Sequence, residues 1–243
     1  MARFFMAGTN IAGGMAIIRG RDAEHIKVLR LRPGEDLVIC DGEGTDYRCR
    51  LVSSDKEEAQ AEVLEVVPCK SEPSVKVSVL CGLPKGDKTE YIIQKSVEAG
   101  AEEILFFQSD RCVARPDAPE KKLERWQRIA EEAAKQSGRG IIPRVDWLGE
   151  YANALNEAVH RDLGLFMYET GERERLDQVL SQNPEAKTAA ILTGPEGGFA
   201  EFEVKLARIA GLHICSLGER ILRCETAPVV ALTAVMYATG NLS

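Results

Sequence analysis

Histidine is scarce: His25, His160 and His213 are the only three in 243 residues, and none stands at metal-ligand spacing from another. The seven cysteines form no Cys-x-x-Cys pair, and their odd number argues for free thiols and against a disulfide framework. No metal site is expected. No apolar run approaches the roughly 20 residues that cross a bilayer. The opening Met1-Ala2-Arg3-Phe4-Phe5-Met6 has no charged leader ahead of a long apolar stretch, so no secretory signal is expected and the cytosol is the expected compartment. Also missing are Gly-x-Gly-x-x-Gly and Gly-x-x-x-x-Gly-Lys-Ser/Thr, which removes the usual cradles for dinucleotides and nucleoside triphosphates.

What is present is an ordinary globular composition, with 44% hydrophobic and 28% charged residues. The net charge of −7 speaks against a general coat on a polyanion. Its distribution is uneven. Residues 1–34 hold six basic side chains against two acidic ones, and residues 111–144 hold nine against five. Two basic stretches on an acidic body suit a local footprint on RNA, with solvated surface charge as the plainer alternative.

The chain changes rhythm near residue 70. Before it, Met15 to Ile18, Asp36 to Cys40, Tyr47 to Val52 and Gln60 to Val67 read as short strands, with Asp41-Gly42 and Gly44 marking a hairpin. Strands so short and regular suggest a small β-barrel. Pro68 to Ser74 reads as a linker. Beyond it, five apolar strands alternate with helical patterns: Val75 to Cys81, Ile104 to Phe107, Leu165 to Tyr168, Ala189 to Leu192 and His213 to Ser216. A helix between the second and third strands places Leu123, Trp126, Ile129, Ala130 and Ala133 on one face. This alternation predicts an α/β domain with a parallel sheet covered on both faces.

Two loops do not read as scaffolding. Thr193-Gly194-Pro195-Glu196-Gly197-Gly198-Phe199 leaves a strand and enters a helix, so its glycines free backbone N–H groups to face a ligand near a helix N-terminus. A tight turn is the plainer alternative. Ser216 to Ala227 leaves the next strand for the last helix, which Thr226 can cap. Ligands of parallel sheets bind beyond the carboxyl ends of the strands. If the two strands are neighbours, the loops wall one pocket lined by backbone amides and by Leu217, Ile221 and Leu222, fit for a small planar ring. For Arg220 and Arg223 the competing account is an ion-pair network with Glu219 and Glu225.

These same residues carry a resemblance. Thr193 to Phe199, followed by Leu217-Gly218-Glu219-Arg220-Ile221-Leu222-Arg223-Cys224-Glu225-Thr226-Ala227, resembles the paired signature of the RsmE family of SPOUT-class methyltransferases, which act on N3 of a uridine in small-subunit ribosomal RNA. The match extends to Arg3-Phe4-Phe5, to His25 with Val28-Leu29-Arg30, to Lys85-Gly86-Asp87-Lys88 with Gln94-Lys95 and Glu98-Ala99-Gly100, and to Glu132 through Arg139 before Pro143. Ala99 and Lys135 depart from the family's usual residues, outside the proposed pocket. The resemblance implies a PUA-like, RNA-binding β-barrel over residues 1–70 and a SPOUT methyltransferase domain over 74–243, its C-terminal part threaded into a trefoil knot. It also implies S-adenosylmethionine as cofactor, a homodimer, and ribosomal RNA of the small subunit as partner, in assembled particles.

The cofactor set expected is Met167, Leu192, Thr193, Gly194, Pro195, Glu196, Gly197, Gly198, Ser216, Leu217, Gly218, Ile221, Leu222, Arg223, Thr226 and Ala227. Uridine N3–H is a weak acid, so methylation asks for a cation beside the base or for a general base. Arg223 is the candidate for the first role, Glu225 or Glu196 for the second, and Arg3 for orienting the nucleotide. Glu196 tying down its own loop is an equal alternative. Arg3, His25, Arg30, Lys85, Arg111, Arg115 and Arg139 are the candidate RNA contacts. Two rival readings are a nucleotide-dependent oxidoreductase and a non-catalytic RNA-binding module. The turn Gly82-Leu83-Pro84-Lys85-Gly86-Asp87 does not fit the first, and two intact loops speak against the second.

Overall fold

The computed structural model describes residues 1–6, 11–55, 57–114 and 119–242. They form two compact units, Met1–Glu72 with Ala134–Ile142, and Pro73–Ala133 with Pro143–Ser243.

The first unit is built on β1 (Ala2–Phe5), β2 (Ile11–Ala12), β3 (Met15–Arg19), β4 (Asp36–Cys40), β5 (Thr45–Ser54) and β6 (Glu58–Pro68). Their sheet order is β1-β4-β5-β6-β3-β2, with β1 parallel to β4 and every other pair antiparallel. Period-two patterning sends Ala16, Ile18, Leu37, Ile39, Cys49, Leu51, Ala59 and Ala61 inward around Phe4. The expected hairpin joins β4 to β5. Asp41 Oδ1 accepts the N–H groups of Glu43 at 2.8 Å and Thr45 at 3.0 Å, and Gly42 and Gly44 hold φ of 79° and 100°. The short strands β1 and β2 were not expected, and neither was helix α1 (Arg21–Val28). It is short, its N-cap Gly20 offers no side chain, and only Ala23 and Ile26 are buried, so neither cap nor long stripe marks it in the sequence.

The second unit carries the seven-stranded sheet, in chain order β7 (Lys76–Gly82), α2 (Lys88–Glu98), β8 (Glu103–Gln108), α3 (Pro119–Ser137), β9 (Arg144–Glu150), α4 (Tyr151–Val159), β10 (Leu163–Met167), β11 (Glu174–Arg175), α5 (Leu176–Gln182), β12 (Thr188–Thr193), α6 (Glu201–Ile209), β13 (His213–Ser216) and α7 (Ala227–Ala238). The order is β11-β13-β10-β12-β7-β8-β9, and every pairing is parallel. The five expected strands are β7, β8, β10, β12 and β13. Central β7 and β8 are buried on both faces, as unbroken apolar runs in a parallel sheet should be. Edge strands β9, mixed in polarity, and β11, two residues long, gave no such signal. Leu80, Leu105, Phe107, Phe166, Leu192, Phe199 and Ile214 pack one core with Tyr151. No helix among the described residues is long and apolar enough to cross a membrane.

Candidate active site

Three chain segments leave the carboxyl ends of adjacent strands and meet. They follow Gly82 of β7, Thr193 of β12 and Met167 of β10; the segment after Ser216 of β13 closes the far side. The sequence left open whether β12 and β13 are neighbours. They are not: β10 lies between them. Its end, Met167-Tyr168-Glu169, lines the cavity between the two loops.

That cavity measures about 420 Å³, within the roughly 300–1,000 Å³ of small-molecule sites. Of the expected cofactor set, Met167, Thr193, Gly194, Pro195, Glu196, Gly198, Leu217, Gly218, Ile221, Leu222, Arg223 and Ala227 line it. Leu192, Gly197, Ser216 and Thr226 do not. Leu192 is wholly buried in the core, and Gly197 instead packs against Arg111, whose Nη1 donates to its carbonyl at 3.2 Å. Ser216 Oγ is engaged by the Gly218 N–H at 3.1 Å. Thr226 is the N-cap of α7 but its side chain makes no capping bond, because its backbone is already helical, at φ −88° and ψ −40°. Lys88, Tyr168, Glu169, Arg220 and Cys224 also line the cavity, though outside the expected cofactor set.

Close backbone approach explains the glycines. A Cβ on Gly194 would lie 3.1 Å from Gly198 C, and one on Gly198, at φ 65°, would lie 2.7 Å from Glu169 Oε1. The α6 N-terminus, by contrast, is not open to a ligand. Glu203, 1% exposed, places its carboxylate there, accepting the Ala200 N–H at 2.8 Å, the Asp110 N–H at 3.1 Å and the Ser109 hydroxyl at 3.3 Å. The positive end of this helix is therefore already answered from within the protein.

The two candidate bases share one lysine. Glu196 Oε1 accepts Lys88 Nζ at 2.9 Å and the Lys85 N–H at 3.1 Å, while Glu225 Oε2 lies 3.5 Å from the same Nζ and accepts the Cys224 thiol at 3.3 Å. Burial works against the charge on Glu196, yet Lys88 and the Lys85 N–H hold its carboxyl below the ordinary range. Glu225 is likewise lowered: burial opposes, and its own N–H, the Cys224 thiol and Lys88 prevail. The hydrogen bond to Glu196 raises the Lys88 ammonium. Burial, with Glu225 and the neighbouring charge of Glu196, pushes the Cys224 thiol up to about 12, so it stays protonated. Both carboxylates are weaker bases than a free glutamate. The ion-pair account of Arg220 and Arg223 does not hold among the described residues. Glu225 goes to Lys88 instead, and both guanidinium groups are exposed on the cavity rim.

The expected RNA contacts fall into three groups. Arg3 is committed within the first unit, to Asp46 through two bonds of 2.9 and 2.5 Å and to the Arg139 carbonyl at 2.9 Å. Arg139, 4% exposed, is clamped by Glu72 at 2.7 and 3.0 Å. Both guanidinium groups are largely turned away from solvent, and that of Arg3, expected to orient the nucleotide, is engaged within the protein. His25 and Arg30 are exposed at the end of α1, His25 edge-on to Phe4 and Arg30 at φ 56°. Lys85 is exposed beside the cavity, and Arg111 flanks the glycine loop. Arg115 lies outside the described residues. Among the described residues no cluster of His, Cys, Asp and Glu could hold a metal ion.

A β unit joined to a parallel α/β unit carries a glycine-loop cavity at the strand ends, a small-molecule site with exposed arginines on its rim. Residues 70–236 match the family described as RNA methyltransferase domain, and residues 18–64 match the RNA methyltransferase PUA domain. The chain belongs to this RNA methyltransferase family, as its resemblance implied. It is 38% identical to the Ribosomal RNA small subunit methyltransferase E of Bacillus subtilis, over 93% of this chain and 91% of that one. It is 34% identical to the protein of the same name from Mycobacterium bovis, over 94% and 88%. A crystal structure of a Ribosomal RNA small subunit methyltransferase E from Neisseria gonorrhoeae bound to S-adenosyl methionine is similar at a TM-score of 0.86, 33% identity, and coverage of 98% and 97%.

Proposed function

We propose that this protein transfers the methyl group of S-adenosylmethionine to N3 of a uridine in small-subunit (16S) ribosomal RNA, in assembled particles. The observation that carries the reading is the cavity at the strand ends, shaped by Gly194 and Gly198 and rimmed by the exposed Arg223. The residues suit the cofactor. A side chain at either glycine would collide with the neighbouring loop atoms that shape the cavity, while Leu217, Ile221 and Leu222 offer apolar contact for a planar ring and Glu196 and Glu169 offer negative charge to a cation. S-adenosylmethionine supplies an electrophilic methyl group, so the protein needs no covalent nucleophile.

The chain's own residues then have two tasks. Arg223 stabilises the uridine anion left when N3 loses its proton, an electrostatic role for a cation beside the base. Glu196 and Glu225, named from sequence as candidate bases, serve chiefly to anchor their loops, because Lys88 lowers their basicity. The N3 proton leaves to solvent. His25, Arg30 and Lys85 grip phosphate, and Arg111 braces the glycine loop from behind.

The reading assigns RNA binding to residues 1–70, as a PUA-like barrel, and catalysis to residues 74–243. A trefoil knot belongs with it. In support, α7 packs on α2, β7 and β12 although it follows β13, which lies beyond β10, so the chain must cross back over the sheet. A homodimer is part of the same reading, supported by Val230 and Tyr237 of α7, 39% and 76% exposed on an otherwise apolar helix. The cytosol is the compartment where such a substrate is met. The test is methyl transfer from labelled S-adenosylmethionine to small subunits lacking the modification, with nucleoside mass spectrometry. N3-methyluridine is the expected product; cofactor binding without transfer would retain the pocket and reject the RNA assignment.

A further inference from the structure

Lys88 is the first residue of α2, just past the turn that leaves β7, and neither composition nor motif assigned it a role at the cavity. Its Nζ lies 2.9 Å from Glu196 Oε1, 3.5 Å from Glu225 Oε2 and 3.7 Å from Cys224 Sγ. Glu196 belongs to the loop after β12, and Glu225 and Cys224 to the loop after β13. One ammonium therefore joins three chain segments that issue from three different strands, two of them not neighbours in the sheet. The side chain is about one-third exposed, and so are Glu196 and, less so, Glu225, so the cluster sits at the cavity wall and not in the core.

We propose that Lys88 is a positioning residue of the cofactor site, holding the two loops at the spacing that S-adenosylmethionine requires through its shared contact with Glu196 and Glu225. The inference rests on the methyltransferase reading. Without Lys88, two carboxylates on opposite loops lose their common cation and repel across the gap. The Lys85 N–H alone remains on Glu196, and the Cys224 thiol alone on Glu225.

A charge without a positioning role would have the opposite consequence for binding. The cofactor is a sulfonium cation, so deleting a nearby ammonium removes like-charge repulsion and tightens it, while the neutral demethylated product, S-adenosylhomocysteine, is unaffected. Positioning instead predicts that both ligands weaken together. Calorimetric titration of the full chain with each ligand separates the two. For Lys88→Met we expect both affinities to fall about tenfold, whereas Lys88→Arg keeps both within about threefold, because a guanidinium can still span two carboxylates. The double variant Lys88→Met with Glu196→Gln should bind no worse than Lys88→Met alone, since both changes break one linkage.

Wild-type affinity in Lys88→Met for both ligands, or tighter S-adenosylmethionine binding with unchanged S-adenosylhomocysteine, overturns the proposal. So does additivity in the double variant. Thermal melts without ligand check folding; if Lys88→Met does not fold, the Lys88→Arg and Glu225→Gln affinities decide, the second expected to fall for both ligands alike and a ligand-selective change overturning the idea. Should the wild-type chain bind neither ligand, the methyltransferase reading itself falls; if it binds and the variants behave as above, only the lysine's role is at stake.

Discussion

Gly82 and Pro195 stand so close that a Cβ on Gly82 would lie 2.6 Å from Pro195 Cδ and 2.8 Å from Pro195 N. This contact locks the end of β7 to the start of the glycine loop after β12. Part of the obstacle is backbone, which cannot swing aside as a flexible side chain would. Gly82→Ala should therefore destabilise the protein by about 1–3 kcal/mol and displace Pro195 and Glu196 from the cavity wall. Urea unfolding measures the first effect and S-adenosylmethionine titration the second. An alanine variant with wild-type affinity would mean that the loop shifts freely.

Arg223 lines the cavity with an exposed guanidinium, and the acid next to it in sequence after Cys224, Glu225, is taken by Lys88. Among the described residues the Arg223 side chain has no internal partner, so it can be removed with little structural consequence. Arg223→Ala is expected to lower kcat by about 100-fold or more, the scale of one lost oxyanion-type donor, while the thermal midpoint stays close to wild type. Single-turnover transfer to small subunits gives the rate. Unchanged kcat would remove Arg223 from the reaction and leave Arg220 as the rim cation to test.

Glu72 holds the first unit together at its seam. Its carboxylate accepts the Arg139 guanidinium at 2.7 Å and the N–H groups of Gly140 at 2.7 Å and Ile141 at 3.1 Å. Glu72→Ala takes one carboxylate away from the buried Arg139 guanidinium and from the Gly140 and Ile141 N–H groups, a loss of about 1–3 kcal/mol. The pair also carries a pH signature. Burial opposes the Glu72 charge, but Arg139 and the two N–H groups hold the carboxyl below its ordinary 4.5. A lowered carboxyl stabilises fully above the unfolded value and progressively less as pH falls through the folded one. Stability should thus be level above about pH 5 and decline below it, and this decline should be shallower in Glu72→Ala. Urea midpoints across that range check both the drop and its origin; parallel acid limbs in the two proteins would assign it elsewhere, first to Glu103, where burial opposes the charge but Ser78 and Arg144 lower the carboxyl.

Local signals made much of this legible. The glycine loop stands between a strand and a helix, and its spacing from the second loop carried the family, so twelve of the sixteen expected cofactor residues line the cavity. Pairings over long sequence distance were not legible. Lys88 reaches Glu196 and Cys224 across 108 and 136 positions, and Arg3 and Arg139 find Asp46 and Glu72 across 43 and 67. A basic residue in a chain reads alike whether it faces RNA or an internal carboxylate. For the same reason nothing in Ala134–Ile142 announced that this stretch belongs with the first unit and not with the helix that precedes it.

The carboxylates at the site bear directly on how N3 loses its proton. Glu196 and Glu225 are both lowered, so each is fully ionised throughout the neutral range. A carboxylate base already ionised would give a kcat/KM independent of pH there, because its protonation no longer changes. Proton loss to solvent with Arg223 stabilising the anion gives another profile: kcat/KM rises about tenfold for each pH unit between about pH 6 and about pH 8, until N3 ionisation or product release takes over. The rising profile is expected. It should persist in Glu196→Gln at reduced affinity, since that residue anchors its loop to Lys88 and the Lys85 N–H. A flat profile in the wild type, turned into a rising one by Glu196→Gln or Glu225→Gln, would identify the replaced residue as the base and reduce Lys88 to its electrostatic partner.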